Sequence, residues 1–138
     1  MKKLSIEATI GKLKEVAAFL DDNLNGLDLT VGDSMQIEIA VEEIYSNICY
    51  YAYGDNIGTV EIGIEISECS HMLTIIFVDS GKPYNPLQGD DPDITIPIKD
   101  REMGGMGVFM VKQIMDEVLY ENRDGQNILT LKKLLETN

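Results

Sequence analysis

E-I-A-V-E-E-I-Y-S-N-I-C-Y-Y-A-Y-G, Glu38 to Gly54, is the stretch whose reading decides the fold. Ile37, Val41, Ile44, Ile48 and Tyr51 recur at steps of four and three, which sets them on one stripe of an amphipathic helix facing a core. Gly54 ends that helix. Glu43 and Asn47 lie four apart, so one turn stacks a carboxylate over a carboxamide at the margin of the stripe. Such a pair can serve a hydroxyl and a Mg²⁺, and it can equally be the solvated polar edge of an ordinary core helix.

Upstream, residues 3 to 9 alternate (Leu4, Ile6, Ala8 against Ser5, Glu7, Thr9), which predicts a first strand with one buried face. From Ile10 to Leu24 the period changes, with Leu13, Val16, Ala17 and Leu20 three and four apart, and the run stops in N-L-N-G at Asn23 to Gly26. This is a helix. Thr30 or the Gly32-Asp33-Ser34 run caps the next one.

Downstream, Thr59 to Ile66 alternates cleanly and predicts a half-exposed antiparallel strand, joined by a hairpin to the more apolar Met72 to Val78. That second strand runs into D-S-G-K-P-Y-N-P, Asp79 to Pro86. A carboxylate at a strand end can accept a hydrogen bond from the exocyclic amine of an adenine, and Gly81 leaves room for a base to approach the backbone. The same residues also make a common turn. Leu87 to Met103 holds Pro92, Pro97 and five acidic residues, so no regular element persists through it and it reads as a lid or binding loop. G-G-M-G, Gly104 to Gly107, then opens a helix with Val108, Val111, Ile114 and Met115 on one face, continuing to about Glu117. Amides free of side-chain crowding at a helix N-terminus suit a polyphosphate, and a hinge is the competing reading. Neither the Walker A loop nor the dinucleotide fingerprint fits. Val118 to Glu121, the turn N-R-D-G and Asn127 to Leu134 complete a hairpin.

Composition narrows the partners. With 138 residues and 44% hydrophobic content, the chain suits one globular domain, residues 1 to 138. A net charge of −13, from 24 acidic and 11 basic residues, argues against nucleic acid or an anionic membrane and favours a basic protein partner. Cys49 and Cys69 form neither a disulfide framework nor a metal set, and no apolar run is long enough to span a bilayer or act as a secretory leader. A soluble, cytoplasmic protein with reduced thiols is expected. His71, the only histidine, lies in a hairpin loop without a nucleophile elbow, which removes a hydrolytic triad.

In order, E-x-x-x-N on a helix, D-x-G-x-P after a strand, a long loop and G-x-G opening a helix resemble the N, G1 and G2 boxes of the GHKL ATPase superfamily, which includes DNA gyrase, heat-shock chaperones, histidine kinases and mismatch-repair ATPases. The details E-E-I-Y-S-N, A-Y-G, D-S-G-K-P-Y-N-P and G-G-M-G-V-F-M-V-K-Q-I-M-D-E-V are similar to those of the stand-alone anti-sigma-factor serine kinases, from about Leu4 to Lys133.

The resemblance implies a Bergerat ATP-binding fold, an α+β two-layer sandwich whose mixed, mostly antiparallel sheet carries helices on one face and an ATP lid. It implies that Asn47 holds Mg²⁺, that Glu43 is the general base, that Asp79 binds the adenine amine and Gly81 shapes the base pocket. By the same resemblance Gly104, Gly105 and Gly107 line the triphosphate and Thr130 lies near adenine. The implied activity is phosphorylation of a serine on a STAS-type anti-anti-sigma protein, coupled to sequestration of a sigma factor, often as a homodimer. Two positions depart from the pattern: Tyr51 stands where many relatives have histidine, and Met103 where relatives often have an arginine for the γ-phosphate, with Arg101 two residues away. A nucleotide-gated binding module without transfer is the alternative. The ATP-binding part of a histidine kinase fits less well, because the chain starts at Met1 with a strand and carries no dimerisation helices with a phospho-acceptor histidine.

Overall fold

The computed structural model describes residues 1–87 and 105–136. Five strands, β1 (Lys2–Glu7), β2 (Thr59–Ile66), β3 (Met72–Asp79), β4 (Glu117–Arg123) and β5 (Gln126–Leu134), form one sheet in the order β1-β2-β3-β5-β4. Each described pairing is antiparallel. The helices are α1 (Leu13–Leu24), entered through a 3-10 turn at Ile10–Lys12, α2 (Val31–Tyr51) and α3 (Gly105–Ile114).

Strand alternation decides which side of the sheet is covered. On β3, Leu73, Ile75, Phe77 and Asp79 are buried while the residues between them are half-exposed. On β5 the inward set is Asn127, Leu129, Leu131 and Lys133. These face the helices, where Val16 and Leu20 of α1, Ile37, Ala40, Val41 and Ile44 of α2, and Val111 of α3 complete a single core. The sandwich therefore has two layers, with the opposite sheet face left to β-branched and charged side chains of intermediate burial.

Helix α2 begins where Thr30 caps it, its hydroxyl accepting from the Asp33 amide at 3.1 Å. It ends at Tyr51, and Gly54 turns the chain with a φ of +60°. The buried face differs from the expected stripe at its C-terminal end. Tyr45 is fully buried, whereas Tyr51 is 45% exposed, because the helix outruns the apolar layer there and passes over a cleft. The Tyr45 hydroxyl lies 2.8 Å from the Glu7 carbonyl and 2.7 Å from that of Thr9, and it donates to them across the end of β1. Burial, with Cys49 beside it, pushes this phenol well above its usual range, so it stays a donor.

At the opposite end of the molecule, Asp33 accepts from the Glu136 amide at 2.9 Å and faces Lys133, whose ammonium donates to the Ile114 carbonyl at 3.1 Å. The start of α2, the end of α3 and the end of β5 thus meet at one buried charge pair. α3 stops at Ile114, short of the expected Glu117, because Glu117 already begins β4.

Two outcomes follow from these contacts. Tyr45→Phe removes the hydroxyl's donation to the Glu7 and Thr9 carbonyls, which keep the Thr9 and Lys12 amides as donors, and should cost about 1 kcal/mol in urea denaturation. Burial also raises the Cys49 thiol pKa, which lowers its thiolate fraction at pH 8, so iodoacetamide should label exposed Cys69 first, as mass spectrometry of tryptic peptides would read.

Candidate functional site

The last inward position of β3 is not apolar. Asp79 continues the side of the strand occupied by Phe77 and places its carboxylate, 6% exposed, where the core opens toward solvent. Its Oδ1 accepts from the Gly81 amide at 2.9 Å and from Asn127 Nδ2 at 3.0 Å. Asn127 is its register partner on β5. The same Nδ2 group donates to the Lys82 carbonyl at 2.9 Å, while Asn127 Oδ1 accepts from the Tyr84 amide at 3.3 Å, the Tyr120 hydroxyl at 2.5 Å and Asn122 Nδ2 at 3.2 Å. Among the described residues, every fully enclosed side-chain nitrogen or oxygen has a partner. Asp79 Oδ2 has none among them, so it is open to the cleft that Asp79 lines.

That cleft encloses about 470 Å³, a volume that includes the open solvent at its mouth. Ile44 and Ile48 of α2 and Leu129 of β5 give it apolar walls, and Asn47, Asp79 and Asn127 supply the polar groups. Apolar walls with a few fixed polar atoms suit a largely apolar ligand that carries a few hydrogen-bonding groups. Its end is closed by a clamp between α2 and the chain after β3: the Ala52 carbonyl accepts from the Lys82 amide at 2.8 Å, and the Tyr53 hydroxyl accepts from the Ser80 amide at 2.8 Å.

The expected residues divide into three groups. Asn47 and Asp79, from separate motifs, meet in the cleft. Glu43 and Gly107 meet one step away: a Cβ on Gly107 would lie 1.7 Å from Glu43 Oε1, so the first turn of α3 rests against that carboxylate. Gly105 opens α3. Gly104, Met103 and Arg101 lie outside the described residues, as does the loop from residue 88 to 104.

Two expectations need correction. Gly81 does not leave space for a base, because that space holds the Ala52 carbonyl, 2.2 Å from where a Cβ would stand. It shapes the cleft by letting α2 approach. Thr130 pairs with Ile76 and Leu119, on the parity of the sheet face turned away from the helices, and the position opposite Asp79 belongs to Asn127. Asn127 was the residue missed. The alternation of Leu129 and Leu131 in N-I-L-T-L-K carries the signal, since a strand that buries those leucines turns Asn127 inward and Thr130 outward.

No cluster of three or more His, Cys, Asp or Glu side chains suited to a metal occurs among the described residues, and none of their helices is long and apolar enough to cross a membrane.

A five-stranded antiparallel sheet with helices packed on one face is the architecture of the GHKL-like kinase domains. The sequence profile of the histidine kinase-like ATPase domain matches residues 6–133, and the chain belongs to that family. The serine-protein kinase RsbW of Halalkalibacterium halodurans is 30% identical over 121 residues, covering 81% of this chain and 69% of the relative. The serine/threonine-protein kinase BtrW of Bordetella bronchiseptica is 25% identical over 95 residues, 69% of this chain and 66% of that protein. Among solved structures, the RsbU and RsbW domains of a Mycobacterium tuberculosis protein match with a TM-score of 0.63 at 18% identity, over 98% of this chain and 33% of that one. The histidine kinase domain of a blue-light-activated kinase from Erythrobacter litoralis gives 0.61 at 16%, over 91% and 60%. At these identities the structures show the fold.

The two glycines should respond differently to alanine. Gly81→Ala drives a methyl into backbone that cannot swing aside, and should cost about 2–3 kcal/mol in denaturant unfolding. Gly107→Ala meets the Glu43 side chain from Cγ to Oε1, which can swing aside by rotation about its own bonds, so it should cost less in unfolding than Gly81→Ala.

Proposed function

We propose that the chain binds Mg-ATP in this cleft and transfers the γ-phosphoryl group to a serine of a STAS-type anti-anti-sigma protein, in the cytoplasm, as one arm of a partner switch that also sequesters a sigma factor. The observation that carries the nucleotide part is Asp79. One of its oxygens is saturated by two N–H donors and the other opens to the cleft, ready for the 6-amino group of adenine between the Ile44–Ile48 wall and Leu129. Family membership and relatives named serine-protein kinases support the transfer. The net charge of −13 suits partners with basic surfaces.

Asn47 offers a neutral amide oxygen at the cleft, a fitting ligand for a cation otherwise surrounded by phosphates and water. A Mg²⁺ held there would offset the charge of the phosphate oxygens. Glu43, one turn before Asn47, is the general base: it takes the proton of the serine hydroxyl as its oxygen bonds to the γ-phosphorus, the bond from that phosphorus to the bridging oxygen breaks, and ADP departs with the electron pair.

A second reading is favoured by where Glu43 sits. Its carboxylate rests on the first turn of α3, so it can act as a latch between α2 and α3 in a nucleotide-gated binding module that transfers nothing.

Differential scanning tests binding: with Mg-ATP at a hundred times Kd the stabilisation should be about 2.7 kcal/mol, and an unmoved melting temperature would refute the site. With γ-labelled ATP and STAS proteins, wild type should label a serine. Glu43→Ala should lower that rate by roughly 10²-fold or more while Mg-ATP still shifts the melting curve. Retained ATP and partner binding with no labelled serine in wild type selects the latch.

A further inference from the structure

We infer that Asn127 is the positioning residue that sets the base specificity of the cleft, by presenting Asp79 to the ligand as a one-oxygen acceptor. The inference rests on the nucleotide reading of the cleft and adds to it a residue on a different strand.

The argument begins with the freedom of an aspartate. Rotation about its last side-chain bond is broad, and its two oxygens are chemically equivalent. An unrestrained carboxylate at a cleft floor offers either oxygen, or both, and can turn to accept from many donor arrangements. Asp79 has lost that freedom. The Gly81 amide and Asn127 Nδ2 both donate to the same oxygen, Oδ1, at 2.9 and 3.0 Å, one from the chain that follows and one from the neighbouring strand. Two donors from different directions fix the plane of the carboxylate and leave Oδ2 as the single acceptor.

The orientation of Asn127 is itself determined. Its oxygen receives three donors, the Tyr84 amide, the Tyr120 hydroxyl and Asn122 Nδ2. Its amino group faces two acceptors, Asp79 Oδ1 and the Lys82 carbonyl. Exchanging the two ends of the amide would set the amino group against the backbone N–H of Tyr84, and the oxygen against the carboxylate and a carbonyl. Only the observed orientation satisfies all five contacts, and it directs an N–H at Asp79. A threonine or serine at this position has one hydroxyl proton and cannot hold Asp79 and the Lys82 carbonyl together.

A lone acceptor fixed against the 6-substituent, unable to turn toward N1, distinguishes purines by the group they carry there. A 6-amino purine donates to Oδ2, whereas a 6-oxo purine brings a carbonyl oxygen against it. The triphosphate and ribose are alike in the two, so the discrimination comes from the Asp79–Asn127 pair.

The test compares Mg-ATP with Mg-ITP, which differ in the 6-substituent and, with it, in the proton on N1, by isothermal titration on the full chain. Wild type should prefer ATP by at least about 10-fold, the ratio expected for a hydrogen bond to a charged group. Asn127→Ala should pull that ratio toward unity, chiefly by weakening ATP, and Asp79→Ala combined with it should add little further loss, the mark of two residues acting as one unit. If Asn127→Ala weakens ATP and ITP equally, leaving the ratio intact, Asn127 only supports the fold and the inference is overturned. If Asn127→Ala does not fold, Asn127→Ser, too short to bridge Asp79 and Lys82, gives the same reading. Wild type that binds neither nucleotide overturns the nucleotide reading itself, and this inference with it. A wild type that binds both equally leaves the nucleotide reading standing and overturns this one alone.

Discussion

Asp79 and Asn127 sit side by side because β3 and β5 are antiparallel neighbours in one particular register, and the rest of the cleft depends on that placement. The chain enters β5 only after the segment that follows β3, helix α3 and strand β4 have all been traversed, so the pair joins parts of the sequence far apart. The Asn127 side chain then reaches onward to the Lys82 carbonyl and the Tyr84 amide and holds the exit from β3. The Ala52 carbonyl takes the Lys82 amide. In three steps the sheet, the turn after β3 and the end of α2 are bound together, and the helix that carries Asn47 is set at its distance from Asp79.

Glycine has two separate uses in this arrangement. At Gly81 it permits backbone to meet backbone, a contact that fixes how near α2 comes to the sheet. At Gly107 it lets a helix end lie on a carboxylate. The second contact joins the N-terminal turn of α3, where unpaired amides make the local field positive, to the negative end of Glu43. Any anion drawn to that helix end must share it with Glu43 or move it. The placement of an anion at that helix end and the position of Glu43 are therefore coupled by simple charge.

Much of this could be read from the chain alone. The helix periods, the alternation of β2, the hairpins and the motifs around Glu43, Asn47 and Asp79 are local signals, and local signals survive in a single sequence. What escaped was either register or overlap. The family resemblance puts Thr130 near adenine, yet the face on which a strand residue lies is a matter of parity, and the burial of Leu129 and Leu131 fixes it. Tyr51 keeps the helical period of the core, but periodicity cannot tell where the sheet beneath a helix stops. At Gly81 the missing Cβ matters, as the glycine in D-S-G suggests, but not for a base. Which group uses that space depends on how α2 docks, a tertiary fact that no short window contains.

Strand β5 places a polar residue at each end of its inward face, Asn127 and Lys133, with Leu129 and Leu131 between them. Each polar end is engaged by groups from other elements, Asp79 and the Lys82 carbonyl at one, the Ile114 carbonyl and Asp33 at the other. A slip of one residue would turn both leucines to solvent and withdraw both polar ends from their partners. The strand is thus keyed at two points roughly 20 Å apart, a tumbler with only one seat. An alternative pairing that satisfied one end would fail at the other, so the sequence that builds the cleft also proofreads the sheet on which it stands.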